Sequence, residues 1–321
     1  MPILDMQLEE MREYKGMNPC PEDFDEFWDR SLEEMKRTDP KVEFRKADFQ
    51  TDVADCYDMY FTGTKDSRIY AKLLKPKHIK GKIPAAINFH GYTGESLGWS
   101  TYLHLAASGF VVAALDCRGQ AGLSEDNCKV VGNTLDGFIT RGLLGNPEDM
   151  YYRNVFLDTA MLARIVMDMD EVDEDRVIAY GESQGGGLSI ACAALEPRIR
   201  GALVTYPFLS DYKRVWHMDL DVDAYRDLRR FFRDRDPMHE REEEYFRKLG
   251  YVDIQHLAHR VKGEVHMYTG LLDSVVPPST QFAMYNRLTC KKEVKVFHDY
   301  GHEFIIHIAD MVYETMMRMV W

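Results

Sequence analysis

Hydrophobic residues in the central part of the chain occur in short continuous runs that are separated by helical patterns. The runs lie at residues 83–89, 110–115, 176–180, 200–208, 263–270 and 293–297. Between two of them, residues 152–169 repeat apolar side chains at helical spacing. Continuous apolar strands that alternate with helices are typical of a mostly parallel sheet with helices on both faces. The pattern therefore predicts an α/β fold.

The N-terminal part of the chain has a different pattern. Residues 1–19 carry no strong helix signal, and we expect an edge segment or arm. Residues 21–35 predict a helix, because proline and acidic residues open it and apolar residues recur at helical spacing. From about residue 42 the period changes to two, and residues 63–67 form a predicted turn between two such segments. An antiparallel hairpin should result.

Two stretches interrupt the alternation of strands and helices. Residues 121–150 contain several glycines and no clear period, which predicts a long excursion near the mouth of the site. Residues 209–258 predict a helical insertion in which 219–232 form a charged and aromatic helix. Its charges suit a solvated face, whereas its aromatic residues suit either a lid or a subunit contact. No repeat or linker divides the chain, so residues 1–321 predict a single domain with these two insertions.

Candidate chemistry lies where the predicted strands end, which is where active sites of parallel sheets are found. The run at 176–180 continues into Gly181-x-Ser183-x-Gly185 and then into a helix of small residues. By itself this glycine and serine pattern is weak evidence. A preceding strand and a following helix are the context that a nucleophile elbow requires. We therefore predict that Ser183 is the nucleophile of a serine hydrolase.

A serine nucleophile needs a histidine base, which in turn needs a carboxylate to orient it. In this kind of fold the acid and then the histidine follow the serine, each after a later strand. Asp273 and His302 have these positions. Asp299 is a weaker alternative acid, because it lies only three residues from the histidine. Of the neighbouring histidines, His298 is too close to the strand end and His307 is predicted inside a helix.

Two backbone N–H groups are expected to bind the oxyanion of the tetrahedral intermediate. The Gln184 N–H would lie at the start of the helix that follows the nucleophile. The Tyr92 N–H is the choice for the second donor, since its loop follows an early strand. We expect His90 to shape this loop rather than to act as a base. If the Tyr92 ring walls the acyl side, acetyl groups should be favoured over long chains.

Composition and charge exclude several other classes. The formal net charge of −13 argues against nucleic acid as a partner, because phosphate binding favours a concentrated basic face. No apolar run approaches the ~18 residues of a membrane span. The N-terminus lacks the basic and apolar regions of a signal peptide, so a cytoplasmic location is expected. The six cysteines are far apart, which predicts buried free thiols and no metal.

Several stretches together resemble one family, the acetyl xylan esterase and cephalosporin C deacetylase esterases of carbohydrate esterase family seven. The resemblance rests chiefly on Arg118-Gly119-Gln120, on the elbow at 181–186 and on His302-Glu303. Residues 21–28, 89–92, 277–280 and 299–303 add to it, so that it spans nearly the whole chain.

The resemblance implies an α/β-hydrolase that needs no cofactor or metal. It implies deacetylation of small esters such as acetylated xylo-oligosaccharides and cephalosporin C. It also implies a hexamer whose sites face an inner cavity. We expect Arg118, Gly119 and Gln120 to support the site. The guanidinium of Arg118 and the amide of Gln120 would join neighbouring loops through hydrogen bonds rather than touch substrate. Glu303 is expected to brace the His302 loop.

Two competing functions remain at this level. The same fold carries peptidases and lactone hydrolases, and fold does not fix function. The chain could also be a non-catalytic binding module on a hydrolase scaffold. The presence of Ser183, Asp273 and His302 together argues against the binding module, because such proteins usually lack one of the three.

Overall fold

The computed structural model of the chain describes residues 4–78, 80–132 and 137–321. The strands in this part of the chain are β1 (Glu43–Lys46), β2 (Ala54–Thr62), β3 (Arg68–Pro76), β4 (Ile83–Phe89), β5 (Val111–Leu115), β6 (Val172–Glu182), β7 (Gly201–Thr205), β8 (Glu264–Gly270) and β9 (Lys292–Phe297). They form one sheet in the order β1-β2-β3-β5-β4-β6-β7-β8-β9.

The sheet is antiparallel at one end and parallel over the rest. The antiparallel pairs are β1–β2, β2–β3 and β3–β5. The parallel pairs are β5–β4, β4–β6, β6–β7, β7–β8 and β8–β9. The predicted N-terminal hairpin is the β2–β3 pair. The predicted mostly parallel α/β sheet is therefore confirmed.

Helices cover both faces of the sheet. The helices are α1 (Leu8–Glu13), α2 (Phe24–Arg37), α3 (Leu103–Ala107), α4 (Tyr151–Met167), α5 (Gln184–Leu195), α6 (Tyr212–His217), α7 (Arg226–Arg235), α8 (Glu242–Leu249), α9 (Ile254–Leu257), α10 (Pro278–Arg287) and α11 (Ile308–Val320). Because side chains alternate along a strand, Val177 and Ala179 join the core that includes α4 and α5, while Ile178 joins the core under α3 and α11.

The N-terminal segment differs from the predicted arm. Residues 1–3 of that segment lie outside the described residues, but residues 8–13 form α1. Met11 on this helix is 2% exposed, and α1 packs against α10. The sequence interpretation was wrong here because α1 is attached by a short apolar face, Leu8 and Met11, and by a hydrogen bond from Asn286 to the Met11 carbonyl rather than by a long apolar stripe.

The helical insertion is confirmed as a helical region but not as one helix over residues 219–232. Asp219 and Asp223 have positive φ angles of 56° and 46°, so α7 begins only at Arg226. Phe231 and Phe232 are 2% and 1% exposed and pack against aromatic residues of α6 and α8. These two rings are therefore part of the interior of the chain, and neither offers a surface for a lid or a subunit contact.

The excursion before α4 contacts this insertion. Residues 133–136 of the predicted excursion lie outside the described residues. Farther along, Thr140 donates two hydrogen bonds to Asp227, from its backbone N–H at 2.7 Å and from its hydroxyl at 2.8 Å. Among the helices that the structure describes, none is both long and apolar enough to cross a bilayer.

Candidate active site

The turn between β6 and α5 forces Ser183 into an unusual backbone conformation. Ser183 has φ 54° and ψ −120°, a combination that L-residues rarely adopt. A Cβ on Gly181 or Gly185 would overlap the carbonyl oxygen of Phe89 on the neighbouring strand β4. Glycine at both positions thus allows the turn to approach β4 closely, as a strand–turn–helix nucleophile elbow requires.

The structure brings the three predicted catalytic side chains into contact. His302 Nε2 lies 3.0 Å from Ser183 Oγ, and His302 Nδ1 lies 2.9 Å from Asp273 Oδ2. The rival Asp299 is exposed and makes no such contact. The sequence predicted that His307 lies inside a helix. In the structure it is instead the N-cap residue of α11, with φ 63°.

The Asp273 carboxylate is buried and held by several donors. Its Oδ1 accepts the N–H groups of Val275 at 2.9 Å and Val276 at 2.7 Å, and the Gln281 amide reaches its Oδ2 at 3.3 Å. Such bonds stabilise the charged form of a carboxylate. On the other side of the histidine, the Tyr206 ring packs on the His302 ring with centroids 4.4 Å apart. The base is therefore oriented by an anion and confined by an aromatic ring.

The Gln184 N–H lies where the sequence predicts an oxyanion donor. Gln184 is the first residue of α5, and the first turn of a helix leaves its N–H groups without intrahelical partners. The helix dipole adds a partial positive charge at the same end. The neighbouring Ser183 N–H is occupied instead, because it donates to the carbonyl of Thr205 at 3.0 Å.

The orientation of the Tyr92 N–H follows from its partner across the same peptide bond, the carbonyl of Gly91. That oxygen accepts hydrogen bonds from the Gly94 N–H at 3.2 Å and the Gln184 side-chain amide at 3.3 Å, and His90 Nδ1 lies 2.7 Å away. In a trans peptide the C=O and N–H point in opposite directions. Fixing the carbonyl therefore also fixes the direction of the Tyr92 N–H.

The protonation state of His90 can be assigned from its neighbours. The Cys117 N–H donates to His90 Nε2 at 2.9 Å, so this nitrogen must be unprotonated. The proton of the neutral ring is then on Nδ1, which donates it to the Gly91 carbonyl. Burial lowers the pKa of His90, which also favours the neutral ring. This geometry agrees with the expectation that His90 shapes the loop.

The side chain of Gln184 joins three parts of the site and is fully buried. Its amide and that of Gln120 donate to each other at 2.8 and 3.1 Å, and the Tyr152 hydroxyl also donates to Gln184 Oε1 at 2.9 Å. The Gln120 amide additionally donates to the Tyr151 hydroxyl at 3.0 Å. The contacts of Gln120 are thus those of the loop-joining role predicted for it.

Arg118 is buried away from the nucleophile. Its guanidinium makes a two-pronged pair with Asp158, at 2.7 and 2.6 Å, and donates to the Thr64 carbonyl at 3.2 Å and the Ser67 hydroxyl at 3.1 Å. These contacts join the loop after β5, the β2–β3 turn and α4. Arg118 therefore has the contacts of a structural residue, as the sequence led us to expect.

The two remaining supporting residues have local contacts. Gly119 has φ 64°, a left-handed conformation that favours glycine, and its N–H donates to the Ser124 carbonyl at 3.0 Å. Glu303 accepts the Gly301 N–H at 3.1 Å, one residue before the candidate base. Both stabilise loops that approach the site.

The Tyr92 ring is held on one side of the nucleophile by aromatic packing. It packs edge-to-face on Phe138 and Phe208, and its hydroxyl accepts the Phe138 N–H at 2.9 Å. A cavity of about 630 Å³ opens beside Ser183 and His302. It extends between the sheet and helices α3 and α11, and most of its lining is apolar.

The potential metal ligands and the cysteines of the described ranges do not cluster. No group of three or more His, Cys, Asp or Glu side chains there has an arrangement that could hold a metal ion. The cysteines are free thiols, but Cys20 is exposed and Cys128 and Cys290 are half-buried. The expectation of uniformly buried thiols was therefore wrong for these three residues.

Sequence reasoning missed several contacts of the site. The short Asp-x-Val-Val segment carried a usable signal, because Asp side chains often accept N–H groups two and three residues ahead. The packing of Tyr206 on His302 and the amide pair of Gln184 carried none, since both join segments that are distant in the chain.

The strand–turn–helix at Ser183 and the parallel sheet around it define the chain as an α/β-hydrolase. Residues 1–318 match the acetyl xylan esterase family. The chain therefore belongs to that family, and it is a carboxylic ester hydrolase.

The proteins similar to the chain include two acetyl xylan esterases of known structure and one curated relative. Acetyl xylan esterase 1 from Thermoanaerobacterium sp. JW/SL YS485 is 54% identical, with a TM-score of 0.97 over 99% of this chain and 100% of that one. An acetyl xylan esterase from Paenibacillus sp. R4 is 34% identical, with a TM-score of 0.91 over 98% of this chain and 99% of that one. Acetyl esterase Axe7A from Xylanibacter ruminicola is 28% identical over 281 residues, which are 85% of this chain. The match spans 61% of the length of that relative.

Proposed function

We propose that the chain is a serine esterase that removes acetyl groups from small acetylated sugars through an acyl-enzyme on Ser183. The observation that carries this proposal is the chain of contacts from Ser183 Oγ through His302 to Asp273, at 3.0 and 2.9 Å. These distances are those of hydrogen bonds, and the order of groups is that of a nucleophile, a base and an orienting acid.

In the acylation step, Ser183 Oγ attacks the ester carbonyl carbon while its proton passes to His302 Nε2. The carbonyl oxygen becomes an oxyanion that faces the N–H groups of Tyr92 and Gln184. Each such donor contributes on the order of 3 kcal/mol of transition-state stabilisation. The intermediate then collapses, and the same proton passes from His302 to the departing alcohol oxygen.

In the deacylation step, water attacks the acetyl-serine while His302 takes its proton. Collapse of the second intermediate releases acetate and returns the proton to Ser183 Oγ. Asp273 stays ionised throughout and stabilises the imidazolium that forms in both steps. The residues needed for both steps belong to this chain.

The substrates we propose are acetylated xylo-oligosaccharides, with cephalosporin C as a second acetyl ester that the same site would cleave. Family membership and the names of the similar proteins support the acetylated sugar. The cephalosporin rests on the resemblance of the motifs. No nucleic acid or organic cofactor enters the reaction that we propose.

We further propose the organisation that the sequence suggests. It is a single domain of residues 1–321 with insertions at about 121–150 and 209–258, in a cytoplasmic homo-hexamer. The core that includes α4 and α5 also contains apolar side chains of the second insertion, which supports one domain. Size-exclusion chromatography with light scattering tests the hexamer, and a stable monomer would contradict it.

The function is tested by acetate release from acetylated xylo-oligosaccharides, beside 4-nitrophenyl acetate. Wild-type protein should release acetate from both, and Ser183→Ala should release none. Ser189→Ala is a matched control, because this buried serine on α5 donates only to the Gly185 carbonyl. Turnover of 4-nitrophenyl acetate without sugar deacetylation would retain the esterase and favour another small acyl ester or lactone. Absence of reaction with a fluorophosphonate probe would favour a non-catalytic binding module.

A further inference from the structure

The cavity beside Ser183 reaches far below the nucleophile. Its deep walls come from four elements, with Leu105 on α3, Tyr180 on β6, Leu203 on β7 and Met316 on α11. Tyr180 lies three residues before Ser183 and pairs with Leu203 across the sheet. At about 3.3 Å per strand residue, this wall lies roughly 10 Å along the strand from the nucleophile.

An acetyl group would occupy only a small part of this space. A water molecule takes about 30 Å³ in the liquid, and the cavity of about 630 Å³, which includes the space at its mouth, is many times larger. The methyl group of an acetyl ester is about the size of a water molecule. The rest of the cavity therefore has no occupant when a simple acetyl ester is bound with its alcohol outside.

The lining and the mouth of the cavity differ in polarity. Leu105, Leu203 and Met316 make the deep end apolar, whereas Glu95 and Glu182 are exposed where the cavity opens. A polar sugar is better solvated at the mouth, and burial of hydrocarbon is favourable in the deep end. Asn88, Tyr102 and Tyr180 are polar exceptions in the wall. The Tyr102 hydroxyl donates to Asn88 Oδ1 at 3.1 Å, whereas none of the described residues forms a hydrogen bond with the Tyr180 hydroxyl.

We propose that this cavity is a specificity pocket for a compact hydrocarbon group of the ester, and that the enzyme hydrolyses esters bearing such a group in addition to acetylated sugars. The inference rests on the proposed function, because Ser183 would attack these esters by the same steps. Leu105, Leu203 and Met316 are then specificity-determining residues, and they contact the substrate away from its reacting atoms.

A pair of isomeric esters tests the pocket and identifies which side of the ester enters it. Hexyl acetate and ethyl hexanoate contain the same atoms but carry the longer chain on the alcohol and the acyl side, respectively. Each methylene that becomes buried raises kcat/KM by up to about fourfold. We therefore expect at least one isomer to exceed ethyl acetate by about tenfold or more in kcat/KM, measured in a pH-stat.

Variants that fill the pocket test whether the pocket itself causes the preference for the longer ester. Leu203→Phe should remove most of the gain of the preferred isomer over ethyl acetate, measured as the ratio of the two kcat/KM values in the same variant. Leu74→Phe is the matched control, because Leu74 is equally buried on the same face of the sheet but does not line the cavity. If Leu203→Phe does not fold, Tyr180→Phe replaces it. Tyr225→Phe is its control, because the buried Tyr225 hydroxyl also has no hydrogen-bond partner among the described residues and does not line the cavity. Removal of the Tyr180 hydroxyl should raise the preference for the longer ester, because the alkyl group of the ester then no longer desolvates that hydroxyl.

The outcomes distinguish this inference from the proposed function. A gain for one isomer that Leu203→Phe abolishes and Leu74→Phe retains supports the pocket. Equal or lower kcat/KM for both isomers than for ethyl acetate overturns it, and would favour the hypothesis that the Tyr92 ring restricts the site to acetyl groups. Identical effects of Leu203→Phe and Leu74→Phe also overturn it. Loss of Ser183-dependent acetate release from sugars would instead contradict the proposed function.

Discussion

Replacing His90 tests how the second oxyanion donor is held in place. His90 is 6% exposed and makes two hydrogen bonds, one to the Gly91 carbonyl at 2.7 Å and one from the Cys117 N–H at 2.9 Å. The first bond fixes the peptide that carries the Tyr92 N–H, whereas the second fixes only the ring. Asparagine can place its amide near Nδ1 and keep the first bond. Glutamine can place its amide near Nε2 and keep the second.

The size of the loss in kcat depends on which hydrogen bonds still hold the Gly91 carbonyl after the substitution. Complete loss of an oxyanion donor lowers kcat by about 10²–10³-fold. In His90→Gln the Gly91 carbonyl still accepts the Gln184 amide and the Gly94 N–H, so the peptide keeps part of its orientation. We therefore expect kcat to fall by about tenfold, with KM nearly unchanged because the donor acts mainly in the transition state. His90→Asn should retain most of kcat.

The assay is steady-state hydrolysis of 4-nitrophenyl acetate by the wild type and both variants, with thermal unfolding as a control for folding. Both variants lose one buried hydrogen bond, so they should lose similar stability, about 1–3 kcal/mol. A difference in kcat between variants of equal stability then reports the Gly91 contact. A full kcat in His90→Gln beside a large loss in His90→Asn would refute this account of the donor.

Three further predictions concern the acid, the buried ion pair and acid stability. Asp273→Asn should lower kcat for 4-nitrophenyl acetate by about 10⁴-fold, since the base loses its orienting charge, and a loss below tenfold would contradict that role. Arg118→Met should lower the free energy of urea unfolding by about 3–5 kcal/mol because it leaves the Asp158 carboxyl buried without its charged partner, whereas a second change, Asp158→Leu, should restore much of it. The pKa of His256 is lowered from 6.5 to about 4, mainly because the ring is buried and secondly because the charge of Arg287 lies nearby. The unfolded chain therefore binds this proton more readily, so stability is full above pH 6.5 and falls by roughly 3 kcal/mol toward pH 4. The same urea titration of His256→Gln should show a flatter pH dependence, and an unchanged one would contradict the assignment.

The parallel part of the fold could be predicted from the sequence because buried strands carry their own signal. Strand β4 has the predicted bounds, residues 83–89. Strand β6 begins at Val172, four residues earlier than predicted, because Val172 pairs with Ile83 ahead of an irregularity in the ladder. The acidic residues between Val172 and Val177 hide that extension in the sequence. The propensity of a sequence reflects only local conformational preference, whereas the start of β6 is set by its pairing with β4.

The candidate site was predictable where chemistry imposes a local pattern. Ser183, Asp273 and His302 follow strand ends in the order that the fold uses, and the structure brings them together. The depth of the cavity was not predictable. Leu105 and Leu203 occupy ordinary apolar positions in the sequence, and only the tertiary packing leaves space between them.

The position of α11 makes one helix responsible for two parts of the site. It begins six residues after His302, and Met316 on it forms part of the deep cavity wall. Outward movement of this helix would therefore displace the loop that carries the base and expose apolar surface in the same event. On gentle heating we expect inactivation and binding of an apolar dye to occur together, below the temperature at which the sheet melts. The enzyme would then lose activity first through detachment of α11 and only later through unfolding of the sheet.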